Sequence, residues 1–355
     1  MTTVSLALSA ATALLLGATP GTDVDHRPVE LGRIEWLRDY DRGMSIARQT
    51  DKPVMLLFDE VPGCHTCTSF GNGPLSHPIV VDAAGQLFVP IAVYNNVTGD
   101  DAAVLKRFKE PAMNNPVIRW FDAEGKELVT RKEAVYTTGA LLERMVLALK
   151  TAGKTVPPYL TLVSHEYHPA ETDTATFAMH CYWVGEQKLG ALHGVLATRI
   201  GSLDGQEVVE LDYDPTVLPY TMLVDRAKKF DCAQRVFART DAQWAVARSR
   251  VGEQAVRTDQ PVDTSTTQQH DLAGAPDYHY LPLTQLQATR INAAIASKQD
   301  PTVYLSPGQI KLHQRLQRLL RAKPDALKSV TPDRSPGGVI RYYGALEQLL
   351  RDAAD

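Results

Sequence analysis

The chain has 355 residues, 44% of them hydrophobic and 22% charged, with a formal net charge of -4. That length predicts two domains and a smaller third piece. The charge offers no basic surface for nucleic acid or anionic lipid, and four cysteines are too few for a disulfide scaffold. The amino-terminal stretch "MTTVSLALSAATALLLGATPG" is apolar and rich in small residues. It is too short for a stable membrane span. It reads as a secretory signal over residues 1–21, although no Lys or Arg precedes the apolar run. Export to an oxidising compartment, periplasmic or extracellular, is therefore expected, with a plain tail on a cytoplasmic protein as the alternative.

Residues 30–153 read as a first domain in the order α-β-α-β-α-β-β-α. Ile34, Leu37, Tyr40, Met44 and Ile46 have helical spacing, and "KPVMLLFDE" is the continuous apolar run of a buried parallel strand. "PIVVDAAGQ", "LFVPIAVYN", "DDAAVLKRFKE", "NNPVIRWFD" and "KELVTR" follow as helix, strand, helix, strand and strand. A last helix runs from a Thr137 or Thr138 cap to Gly153.

Between the first strand and the next helix stands "VPGCHTC", residues 61–67. A cysteine at a helix amino end has its thiolate stabilised by free N–H groups and the dipole, so Cys64 reads as the attacking sulfur and Cys67 as the resolving one. His65 is a spacer. His77, before Pro78, reads as a local cap, and a Cys64/Cys67/His77 metal site is the alternative reading, that of a metal-handling protein.

This arrangement resembles the thioredoxin superfamily, and "VPGCHTC" resembles its V-P-G-U-x-x-T type, with Cys64 at the selenocysteine-or-cysteine position. The resemblance implies an α/β thioredoxin-like fold. It places Pro116, which opens "PVIRWF", where the family carries a cis-proline facing the dithiol and its substrate.

Past "VPPY", residues 165–255 read as a second domain: strand 173–180, helix 182–192, strands 194–200 and 206–213 joined by a tight Asp204-Gly205 turn, and helix 219–230. That order predicts an α+β, ferredoxin-like sandwich. Cys181 again stands where a strand hands over to a helix, beside Tyr182 and Trp183, an aromatic pair suited to a methyl or thioether group. "ATFAMHCYW" and "GQEVVELDYDP" resemble the peptide methionine-sulfoxide reductase A family. The resemblance makes Cys181 the nucleophile, Tyr182 and Trp183 the substrate-methyl cradle, and Glu207 the carboxylic acid, kept neutral by burial, that protonates the sulfoxide oxygen. "FDCAQRVFARTDAQW" places Asp241 on the family's active-site aspartate and Cys232 on a proline position near that site. Cys232 then reads either as the thiol that resolves a Cys181 sulfenic acid or as a buried packing residue. The family's Gly-Tyr-x-Gly-Gly loop and its Q-Y-R-S tyrosine are missing. His165, His168, His180 and His193 lack ligand spacing.

Residues 256–355 read as a polar linker and three helices, the second opening on Ser306-Pro307. Arg315, Arg318 and Arg321 form a solvated face.

The resulting expectation is a thiol-disulfide oxidoreductase whose Cys64–Cys67 dithiol reduces the second domain as that domain acts on an oxidised protein or small sulfoxide. An upstream thiol reductant recharges it, and no cofactor is called for. The alternative is a redox-active first domain with a catalytically inactive, client-binding second one.

Overall fold

The structure, a computed structural model, describes residues 27–265 and 268–352. The signal expected over residues 1–21 lies outside them. Among the described residues no helix is long and apolar enough to cross a membrane.

The chain begins with α1 (Tyr40–Thr50), β1 (Val54–Asp59), α2 (His65–Asn72), α3 (Pro78–Leu87), β2 (Val89–Tyr94), α4 (Asp100–Phe108), β3 (Val117–Phe121), β4 (Glu127–Val129), α5 (Thr138–Thr151) and α6 (Pro158–Tyr167). The four strands form one sheet in the order β2-β1-β3-β4, with β1 parallel to β2 and antiparallel to β3. All six residues of β1 are buried because both faces are covered. Met55 and Leu57 pack with Phe70, Leu142 and Val163 on one face, and Val54, Leu56 and Phe58 with Met44 and Leu105 on the other. By the same alternation Asp59 falls on the face of Met55 and Leu57, under α2. The helix expected to include Ile34 and Leu37 starts only at Tyr40, capped by Asp39, because Leu37 instead bridges Ile91 at the edge of β2.

A second sheet follows. Its elements are β5 (Asp173–Ala178), α7 (Tyr182–Gly190), β6 (Val195–Leu203), β7 (Gln206–Tyr213), α8 (Tyr220–Lys229), β8 (Arg235–Ala238), α9 (Asp241–Val251), β9 (Ala255–Arg257) and β10 (Asp263–Thr264). The strand order is β10-β6-β7-β5-β8-β9. One face packs Phe177, Ile200, Leu211 and Tyr213 against helix residues such as Leu189 and Leu223. The other carries a polar network in which Arg199 binds Glu210 and Asp212.

The remainder is helical: α10 (His270–Ala273), α11 (Pro276–His279), α12 (Gln285–Ala296), α13 (Pro307–Ala322) and α14 (Pro336–Asp352). Residues 268–273, inside the span expected to be a linker, pack on α7 instead. These helices have their own apolar core, which includes Leu283, Ile291, Leu316 and Leu346.

Half-buried carboxylates tie the helical segment to the first sheet's helices. Asp82 of α3 accepts hydrogen bonds from the Ser306 hydroxyl and, at 3.0 Å, from the Gly308 N–H at the start of α13. Glu166 of α6 accepts from the Thr284 hydroxyl at the start of α12. Each carboxylate thus satisfies groups that a helix amino end leaves open. Arg290 of α12 in turn donates to the carbonyls of Gly190, Leu192 and Val195, closing the carboxyl end of α7.

Asp82→Ala is expected to lower the stability of the full chain by about 1–3 kcal/mol in urea unfolding, with Asp82→Asn closer to wild type because an amide oxygen still accepts. An Asp82→Ala midpoint equal to wild type would show that the cap does not hold α13.

Candidate active site

Cys64 occupies the cap position of α2 and is exposed, while Cys67, inside the first turn, is fully buried. Their sulfurs lie 3.3 Å apart as free thiols. The loop before them is pinned from two sides. Asn96 accepts from the Val61 N–H and donates to the Pro62 carbonyl, each at 3.1 Å, and buried Glu30 accepts from the Gly63 N–H at 2.8 Å. Gly63 has no room for a side chain: a Cβ there would stand 2.6 Å from the Cys67 Cβ and 2.2 Å from the Glu60 carbonyl oxygen.

The two thiols are driven apart electrostatically. The Cys67 N–H, the Cys67 thiol and the Thr66 N–H all stabilise the Cys64 thiolate and lower its pKa. Burial, then the bond to Cys64 and the proximity of Asp59, push Cys67 up to about 12. Asp59 was not singled out in the sequence. It is fully buried at the end of β1, one oxygen accepting from the Glu60 N–H at 2.9 Å, and its carboxyl lies beside the Cys67 thiol. Burial raises its pKa to about 7. An acid closing an otherwise apolar strand run was the available signal.

Pro116 is buried at the entrance of β3, but the cis peptide bond in this region is Val61–Pro62 and the Asn115–Pro116 bond is not cis. The residue turned toward the dithiol is Asn115, whose side-chain oxygen lies 3.5 Å from the Cys64 sulfur. The Cys64/Cys67/His77 metal site does not assemble. His77 is buried with its Nε2 3.1 Å from the Tyr167 hydroxyl, and burial lowers its pKa to about 3. No group of three or more potential ligands forms among the described residues.

The second centre repeats the placement. Cys181 is the cap residue of α7, half-buried, and Glu207 stands beside it, accepting from the Tyr182 N–H at 2.9 Å. Glu207 is exposed, so the burial expected to keep its carboxyl neutral is not what surrounds it. Met179, two residues before Cys181, lies flat on α7 because Gly185 offers no side chain there: a Cβ would meet its sulfur at 1.8 Å. Cys232 lies at the same end of β5, two residues before Gln234, whose N–H pairs with the Ala178 carbonyl at 2.9 Å. It is buried in the apolar core, which raises its pKa.

Asp241 does not join this group. β8 runs antiparallel to β5, so the chain beyond Ala238 travels away from Cys181. The neighbouring Gln243 bonds Asp173 and Thr174 at the opposite end of β5, and Asp241 pairs with Arg257 at 2.7 Å, exposed to solvent.

Of the comparisons with known proteins, the family-model match falls on the first sheet. Residues 35–123 match the family model described as thioredoxin-like. The chain therefore carries a thioredoxin-like domain. It is also 30% identical over 131 residues to a peptide methionine sulfoxide reductase of Drosophila melanogaster and 25% identical over 142 residues to the peptide methionine sulfoxide reductase MsrA of Methanococcus maripaludis. These alignments cover 30% and 31% of this chain, and 53% and 90% of the relatives. The chain thus spans about half the length of the fly protein. Among solved structures, a DsbH oxidoreductase matches with 22% identity over 38% of this chain and 96% of its own, at a TM-score of 0.29.

Alkylation should separate the thiols. Cys64 is expected to react with iodoacetamide below the pH at which a free thiol does, and Cys67 to stay inert to beyond pH 10 in the folded protein. Peptide mapping of the labelled sites checks this, and equal labelling of both at pH 8 would contradict it. Asp59 gives a second prediction. Its folded pKa lies above that of an unfolded carboxyl, so its contribution to stability is intact below about pH 4 and is lost as pH rises through 7. Asp59→Asn should therefore match wild type near pH 4 and exceed it above pH 7 by up to about 4 kcal/mol. Urea midpoints across that range test it, and a constant difference would refute the linkage.

Proposed function

We propose that the protein is a thiol-disulfide oxidoreductase whose Cys64–Cys67 dithiol serves a sulfoxide-reducing centre at Cys181. The observation that carries the redox reading is the exposed Cys64 thiol, 3.3 Å from buried Cys67 at the amino end of α2, with a buried carboxyl beneath. Cys64 attacks a disulfide as the thiolate. This gives a mixed disulfide and releases the partner's first thiol. Cys67, giving up its proton to Asp59, which can accept one near neutral pH, then attacks the Cys64 sulfur, closes the Cys64–Cys67 disulfide and expels the partner's second thiol.

The reading of residues 165–255 as a second, methionine-sulfoxide reductase A-like unit is supported by topology and fits the chain's similarity to peptide methionine sulfoxide reductases. β5-α7-β6-β7-α8-β8, with strands ordered β6-β7-β5-β8, is the arrangement of a ferredoxin-like sandwich. In this unit the Cys181 thiolate attacks the sulfoxide sulfur. The oxygen passes to Cys181, giving a sulfenic acid and a thioether, with protons supplied beside Glu207. Cys232 condenses with the sulfenic acid, releasing water and forming a Cys181–Cys232 disulfide. Cys64 attacks the more accessible sulfur, Cys181, and Cys232 leaves as a thiol. Cys67 closes the Cys64–Cys67 disulfide and frees Cys181, and an external dithiol reduces that disulfide. Tyr182 and Trp183 supply the apolar wall for the substrate methyl, and Pro116 and Asn115 border the dithiol.

A second reading is favoured by the burial of Cys232 and the distance of Asp241: the second unit binds an oxidised client without chemistry of its own. One experiment divides the two. The reduced full chain is treated with one equivalent of peptide methionine sulfoxide, quenched with a thiol trap and mapped. The expected result is a transient Cys181–Cys232 disulfide followed by Cys64–Cys67 oxidation. Free Cys181 and Cys232 throughout would leave only the dithiol active.

A further inference from the structure

The indole of Trp183 is not oriented by a hydrogen bond, because its N–H is buried without a partner. Ring contacts hold it instead. Tyr182 meets it edge-on at 5.7 Å, and the imidazole of His270 stacks on its face at 4.1 Å with 25° between the planes. His270 belongs to the carboxyl-terminal segment, outside the second sheet.

The stack is built rather than incidental. Trp183, Glu186 and Gln187 stand three and four residues apart and so share one face of α7. The Glu186 carboxylate accepts from the Gln269 N–H at 3.2 Å and also from the His270 N–H. Gln187 donates to the Asp271 carboxylate at 2.7 Å. Glu186 is itself buried and held by Thr198 and Asn292. The residues on either side of His270 are therefore clamped to the helix capped by Cys181, while its ring stays exposed over Trp183. Where the resembled family presents tyrosines from loops of its own sheet, this chain brings an imidazole from its carboxyl-terminal segment.

We propose that His270 is a positioning residue of the Cys181 centre, fixing the Trp183 ring in the wall that receives the thioether end of a sulfoxide. The inference rests on the sulfoxide-reducing reading of Cys181. His270 covers one face of the indole and holds its plane, so losing it weakens substrate binding more than bond-making at the sulfur.

The test is steady-state reduction of a blocked peptide methionine sulfoxide by the full chain. Dithiothreitol in excess keeps the Cys64–Cys67 dithiol from limiting the rate. His270→Ala is expected to raise KM by about 2- to 10-fold, with kcat changed by less than about 2-fold, and His270→Phe, which keeps a ring over Trp183, to return KM toward wild type. Reduction of a small aromatic disulfide by Cys64–Cys67 should be equal in all three proteins and serves as the folding control. An unchanged KM in His270→Ala overturns the proposal, and so does a His270→Phe variant as impaired as His270→Ala. No turnover by the wild type would instead refute the sulfoxide reading itself, and this inference with it.

Discussion

The amides at the beginning of a helix can stabilise a thiolate only if the chain arrives at the right place and angle. Much of this protein is arranged around that requirement. At Cys64 the arrival is enforced by Asn96 and Glu30, which hold the three preceding residues, and by Gly63, where any side chain would collide with Cys67. The same geometry that lowers the Cys64 pKa buries Cys67 and Asp59, so one structural choice sets an exposed thiol of lowered pKa, a buried thiol of raised pKa and a buried carboxyl together.

Cys181 occupies the same cap position with different support. Its helix is not stabilised by its own sheet alone. Arg290 closes the carboxyl end of α7, Asn292 and the Gln269 N–H hold its buried glutamate, and His270 covers its tryptophan. The carboxyl-terminal helices are in turn capped by Asp82 and Glu166 from the first layer of helices. The two cysteine centres thus share a framework, although they lie in different sheets.

Much of this was legible in the sequence. A strand, a cysteine and a helix in succession located Cys64 and Cys181 at helix amino ends, because that order leaves few other places for the sulfur. The continuous run of β1 announced a strand buried on both faces. What spacing could not reveal was direction. Asp241 has the family's interval from Cys232, but the antiparallel course of β8 carries it to the far end of the sheet. Nor could local composition reveal a burial created by distant residues. "QQHDLAG" is polar and reads as linker, yet a buried glutamate far back in the chain fixes it in place. Asp59 was overlooked because an acid after an apolar run usually marks a strand emerging into solvent, and here α2 covers it.

The carboxylate caps also join segments far apart along the chain. The first sheet, with α6 packed into its core, uses residues that leave the ribosome early, and it contains everything that surrounds Cys64. The second sheet is translated next, but the groups that close α7 sit at Gln269, Arg290 and Asn292. During synthesis the residues around Cys64 are therefore all present before those that close one side of α7.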